Sequence, residues 1–255
     1  MFMSSMVNHL IAEIIELEVK LLACQARVAV STDSEALHDL RTTVRRLRSV
    51  LRPLRKLAGV EPLEAAAKAV GQLTTPLRDM QVLAAFLGKK GLSKAADTRN
   101  DYLDKACPKV ARSAELLKLF VMLDQFPAML RMQQRQGLLG DLRKIIEKRM
   151  HKQWQTLRLA MADPGHDRHD LRLLIKRVRY AAEAYPQLSH QPKKVQARLK
   201  AAQSELGNWH DHLQWLAQAG QQSDLAPCIA SWQIGIVRAE RKAETALVRL
   251  ARDGF

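Results

Sequence analysis

The sequence predicts an all-α protein made of two tandem helical units. Three observations carry this. Apolar residues recur at helical spacing along almost the whole chain, Gly and Pro are few (11 and 9 in 255 residues), and one basic segment is written twice. No strand-like alternation bounded by turn residues is present.

The elements follow in order. Residues 5–30 read as an amphipathic helix with Ile11, Ile14, Ile15, Val19, Leu21 and Leu22 on its apolar side. Thr32, Asp33, Ser34 and Glu35 form a capping-box pattern that opens a second helix, and Gly59 is expected to end it. Residues 61–88 give a third helical stretch, broken around Gly71 and Pro76. Residues 92–123 give a fourth, with Pro108 as a kink or boundary. A unit boundary is placed near 124–127. The first unit is therefore 1–124 and the second 125–255. The second reads as helices over 127–162, 167–185, 193–219 and 225–252, the first of them stopped by Asp163, Pro164 and Gly165. Each unit thus has four helices.

A shift of 131 tests the duplication. It carries His38, Asp39, Leu40 and Arg41 onto His169, Asp170, Leu171 and Arg172. It also carries Arg45, Arg46 and Arg48 onto Lys176, Arg177 and Arg179, and takes Lys20 to His151 and Arg27 to Arg158. A shift of 132 takes Lys68 to Lys200 and Asp79 to Asp211.

Charge narrows the function. Lys and Arg number 41 against 26 Asp and Glu, for a net charge of +15. Such an excess points to a polyanionic partner. The three cysteines (Cys24, Cys107 and Cys228) are isolated, so neither a disulfide framework nor a zinc motif is expected, and a cytoplasmic location follows. No apolar run is long enough to span a membrane. The acidic residues form no Mg²⁺-holding motif and there is no Gly-rich P-loop, so no catalytic residue, cofactor or metal is assigned.

The basic residues have a pattern. Counting from His38, the residues Arg41, Arg45, Arg48, Arg52 and Arg55 fall on one stripe of the second helix, at the spacing leucines take in a coiled-coil seam. Leu40, Val44, Leu47, Leu51 and Leu54 form the packing stripe beside it. Neighbouring arginines at i,i+3 and i,i+4 repel by roughly 0.2–0.5 kcal/mol each. The row therefore needs carboxylates from another helix or a bound anion. Its second copy is His169, Arg172, Lys176 and Arg179, with Glu183 where the first copy has Arg52. Arginine suits bidentate phosphate contacts better than lysine. Lys20, Arg27, Lys68, Arg158 and Lys200 are further candidates for the same groove, and Arg78 stands beside Asp79. Arg238, Arg241 and Lys242 read as a solvated face of the last helix.

These residues resemble the CHAD family, the conserved histidine α-helical domain. The resemblance rests on the HxxR and (R/K)RxR pattern from His38 and again from His169. It rests also on Leu77, Arg78 and Asp79, and on the segment 206–213. Thr74 and Thr75 stand where the family has Leu-Gly, and His210-Asp211 where it has Arg-Asp. The resemblance implies two pseudo-twofold-related four-helix bundles around a basic central groove or pore. It further implies a non-catalytic protein that binds inorganic polyphosphate and can associate with polyphosphate granules. Carried over residue by residue, the binding set is His38, Arg41, Arg45, Arg48, Arg52, Arg78, His169, Arg172, Lys176 and Arg179.

Two other functions are weighed against this. Nucleic acid would use the same surface, but aromatics are only 5% of the chain and do not interleave with the basic rows, whereas single-strand binders stack bases on aromatics. A histidine-based metal or phosphate site would need a ligand pattern, and His210 and His212 are two apart, on different helix faces. No membrane and no obligate protein partner is inferred. Reversal of Arg45 and Arg48 to glutamate is expected to abolish most polyphosphate binding while leaving helix content largely intact.

Overall fold

The computed structural model describes residues 2–31 and 33–254, with side chains from Met6 onward. Thr32 of the capping-box pattern lies outside the described residues. Among those described, the chain is helical with no strand.

Helix α1 is Phe2–Ala29, and it buries Val7, Leu10, Ile14, Leu17, Leu21, Cys24 and Val28 at steps of three and four. Ile15, Val19 and Leu22, expected on the apolar side, are exposed. Helix α2 is Ala36–Leu51. Glu35 makes no side-chain cap to α2; instead the Asp33 carboxylate accepts from the Glu35 amide at 2.9 Å. The helix ends earlier than the sequence suggests, because Pro53 cannot donate to an α ladder, and residues Arg52–Leu54 tighten into a 3-10 turn. Gly59 belongs to the next helix, where it precedes α3 at a φ of 77°. That left-handed backbone angle calls for glycine, and any side chain there would also have to displace the Met129 thioether.

Helix α3, Val60–Lys89, runs unbroken through Gly71 and Pro76. The turn before Pro76 carries extra hydrogen bonds. Thr74 Oγ1 donates to the Val70 carbonyl at 2.8 Å and Thr75 Oγ1 to the Gly71 carbonyl at 2.7 Å. Helix α4 is Ser93–Val110, with Pro108 inside its last turn. Helix α5, Ala114–Arg135, opens on Ser113, whose Oγ accepts from the Leu116 amide at 3.3 Å.

Here the reading from sequence needs correction. Helix α5 passes straight through 124–127, and the supposed long helix over 127–162 is broken at 136–141. Gly137 and Gly140 take positive φ there, 70° and 59°. Helix α6 is Leu142–Ala162, α7 is Arg168–Ala184, α8 is Lys193–Ala219 and α9 is Ile229–Gly254. Asp167 caps α7, accepting from the Asp170 amide at 3.0 Å.

The chain divides into compact units at Ile146 and Glu147 rather than near 124. The first unit holds α1 to α5, five helices rather than four, with α1 and α3 each packed against α2, α4 and α5. Leu40, Leu47, Leu51, Leu54, Leu63, Leu83 and Leu116 are fully buried in it. Each such side chain contributes about 1.5–3 kcal/mol by burial. The second unit has its own core, where Leu157 of α6 meets Ile175 and Val178 of α7, Leu199 and Leu206 of α8, and Leu247 and Leu250 of α9.

Candidate functional site

The apolar stripe of α2 is driven into the core against α1 and α3, so the basic stripe beside it is held on the α3 side. The structure brings three of its arginines onto one carboxylate. Arg48 Nε lies 2.9 Å and Arg52 Nε 3.4 Å from Glu64 Oε1, and Arg55 Nη2 lies 3.2 Å from Glu64 Oε2. Glu64, on α3, is only 2% exposed, while the three arginines keep 23%, 33% and 52% of their side-chain surface. The carboxylate therefore sits behind the row, and it fixes guanidiniums that would otherwise repel one another.

Arg41 is handled differently. Through Nη1 it donates to the Gly71 carbonyl at 3.1 Å, Thr74 Oγ1 at 2.9 Å and Thr75 Oγ1 at 3.1 Å. All three acceptors are neutral. The threonines that stand in place of the family's Leu-Gly thus anchor an arginine of the row. Burial lowers the Arg41 pKa, and the nearby Asp79 charge opposes that shift. Arg45 is exposed, with Nη2 3.3 Å from Thr42 Oγ1.

His38 and Arg78 belong to the same cluster. Arg78 Nη1 donates to Gln81 Oε1 at 2.6 Å. Burial, then the charge of Arg78, pushes the His38 imidazole below its ordinary value. The second unit repeats this with different residues. The His169 and His210 rings are 5.1 Å apart, between α7 and α8. Burial, then the charges of Arg172, His169 and Lys176, pushes His210 down to about 4. His210 is the counterpart of Arg78 at a shift of 132, a position sequence reasoning noted only as a departure. Arg179 Nε donates to Gln203 Oε1 at 2.7 Å, and its Nη1 is paired with Glu183.

The additional candidates separate. Lys20 is paired with Glu16, and Arg27 is bonded to Asp33 and Asp39, both at 2.7 Å. Lys68, Arg158 and Lys200 are exposed. Glu64 was missed, although a signal existed. It lies four residues after Val60 and three before Ala67, on the apolar stripe of α3, where a carboxylate needs a cationic partner.

A cavity of about 550 Å³ lies elsewhere in the first unit, at the ends of α1 and α2 and along α3 and α4. The charged residues that line it, among those described, are Asp33, Asp97 and Asp104, so it does not suit a polyanion. Among the described residues, no three His, Cys, Asp or Glu side chains converge as a metal ion would require, and no helix is long and apolar enough to cross a membrane.

The histidines give a pH dependence. Burial and neighbouring cations hold both imidazoles below their ordinary value, and an anion placed beside them would favour the charged form. Anion binding should therefore take up protons, and affinity should rise as pH falls from 8 towards 5. Histidine ring shifts followed by NMR with and without an added polyanion check this: an anion bound here would raise the apparent pKa values of His38 and His210, and an anion bound elsewhere would leave them unchanged.

Fold and site together define a class: an all-α protein whose second-helix basic row occurs twice. The CHAD domain family model matches residues 14–219, and the chain belongs to this family. It is similar to the crystal structure of the CHAD domain from the plant Ricinus communis. That match has a TM-score of 0.69 and 20% identity, and covers 97% of this chain and 90% of that one. No protein with a curated description matches.

Proposed function

We propose that this protein binds inorganic polyphosphate, without catalysis, through the duplicated basic rows. The observation that carries the proposal is Arg41, a half-buried guanidinium whose hydrogen bonds all go to neutral oxygens. A charge drawn out of water without a bonded carboxylate gains most from an anion that brings its own. Arg48 and Arg55 add to this, because both share Glu64 with Arg52 and each guanidinium has five N–H donors.

A phosphate polymer fits this chemistry. It offers anionic oxygens at regular spacing and no base to stack. The first row is arginine-rich, and residues 38–55 contain no Phe, Trp or Tyr on which a base could stack, which disfavours single-stranded nucleic acid. Family membership supports the same ligand through the resemblance noted above, and with it a cytoplasmic place at polyphosphate granules.

The test is a titration with long-chain polyphosphate, and with single-stranded and duplex DNA of matched charge, at physiological salt. Polyphosphate is expected to bind more tightly, with an affinity that falls steeply as salt rises. Equal or tighter binding of DNA would count against the proposal. Phosphate release in the presence of Mg²⁺ would count against the non-catalytic part of it.

A further inference from the structure

We infer that the two basic rows are unequal and that Glu183 sets the difference, ending the row in the second unit and leaving the first unit to make the stronger contacts with the polymer. The inference rests on the polyphosphate reading above and adds to it a specificity-determining residue.

The argument begins with the repeat. A shift of 131 carries Arg41, Arg45 and Arg48 onto Arg172, Lys176 and Arg179, but carries Arg52 onto Glu183 and Arg55 onto Pro186. The first row thus has five cations at these positions, and the second has three cations and a carboxylate. The acids have also changed places. Glu64 of α3 corresponds at a shift of 132 to Gln196, which is neutral. In the first unit the negative charge is 2% exposed, behind the guanidiniums. In the second it is half exposed and in line with them, one turn beyond Arg179 on α7.

Position decides the effect. A carboxylate behind the row orders the arginines and leaves their outer edges to a ligand. A carboxylate in the row occupies Arg179 from the ligand's side and repels an approaching phosphate directly. Arg179 is accordingly engaged by protein groups, with Nε on Gln203, Nη1 on Glu183 and its guanidinium carbon 4.6 Å from the Tyr180 ring centre. Counting each row with its own carboxylate, five cations and one acid stand against three cations and one acid, a formal excess of four against two.

The experiment uses the full chain and long-chain polyphosphate, titrated at several salt concentrations. The variants are Glu183→Arg, which restores the first row's residue, Glu183→Gln, which removes the charge without adding bulk, and Arg52→Gln, which removes the matching cation of the first row without setting a second carboxylate against Glu64. Glu183→Gln is expected to tighten binding severalfold and Glu183→Arg by about tenfold, with the salt dependence steeper by about one ion. Arg52→Gln is expected to weaken binding severalfold. Circular dichroism checks the fold, and Glu183→Gln keeps the test valid if the arginine variant is unstable. If the wild type binds and both Glu183 variants match it in affinity and salt slope, the inference is overturned and the polyphosphate reading stands. If the wild type fails to bind polyphosphate even at low salt, both are overturned.

Discussion

Neutralising Arg41, Arg45 and Arg52 together as glutamine is expected to weaken polyphosphate binding about a hundredfold. Each guanidinium that contacts phosphate in a half-exposed row is worth about 1 kcal/mol, below the value for a fully desolvated charged hydrogen bond. Three of them sum to about 3 kcal/mol, or roughly two decades in Kd. The salt dependence should flatten as well, by about two to three ions, because fewer counterions are displaced. The choice of residues matters. Reversal of Arg45 and Arg48 to glutamate looked fold-neutral from sequence alone. With Arg48 Nε 2.9 Å from the buried Glu64 carboxylate, that reversal would place two carboxylates together out of water. The glutamine triple variant leaves the Arg48–Glu64 pair in place. Its helix content by circular dichroism is expected to match the wild type.

The second large effect is on stability. Glu64→Ala removes the one buried acid on which Arg48, Arg52 and Arg55 close. Breaking a buried pair from one side costs about 3–5 kcal/mol when both partners are desolvated. These arginines retain a quarter to a half of their exposure, so about 2–3 kcal/mol is expected here. For a domain of this size that lowers Tm by about 5–10 °C. Glu64→Gln keeps an acceptor oxygen in place and should cost about half as much. Polyphosphate bound as proposed would supply the missing negative charge, so saturating ligand is expected to raise the Tm of Glu64→Ala by more than it raises that of the wild type. Thermal unfolding followed at 222 nm, with and without polymer, checks both points. An unchanged Tm would show that the three guanidiniums do not depend on this carboxylate.

Much of the fold was legible in the chain, because helical period and turn chemistry agreed there. The span 193–219 has clear apolar spacing, and α8 occupies it. Asp163, Pro164 and Gly165 stop α6 where expected. The errors came from proline and glycine acting in context. Pro53 ended α2 early, while Pro76 and Pro127 were absorbed into helices. The loop at 136–141 was hidden because Leu138 and Leu139 continue the apolar pattern, although only Leu139 is buried.

The site was legible as a row and illegible as a charge arrangement. Spacing along one helix is enough to place Arg41, Arg45, Arg48 and Arg52 on a common stripe. What those cations face depends on α3, and no local pattern says that Glu64 will meet three arginines or that Thr74 and Thr75 will hold a fourth. His210 shows the middle case. Its correspondence to Arg78 can be read from the duplication, but its burial beside His169 needs the packing of α7 on α8.

The most direct measurement is a crystal structure of the full chain grown with a short-chain polyphosphate. Phosphate groups are expected in the first unit against the guanidiniums of Arg41, Arg45 and Arg52, with Glu64 still closed on Arg48. A polymer bound instead to the exposed Arg238, Arg241 and Lys242 of α9, with no phosphate at the first row, would contradict the assignment.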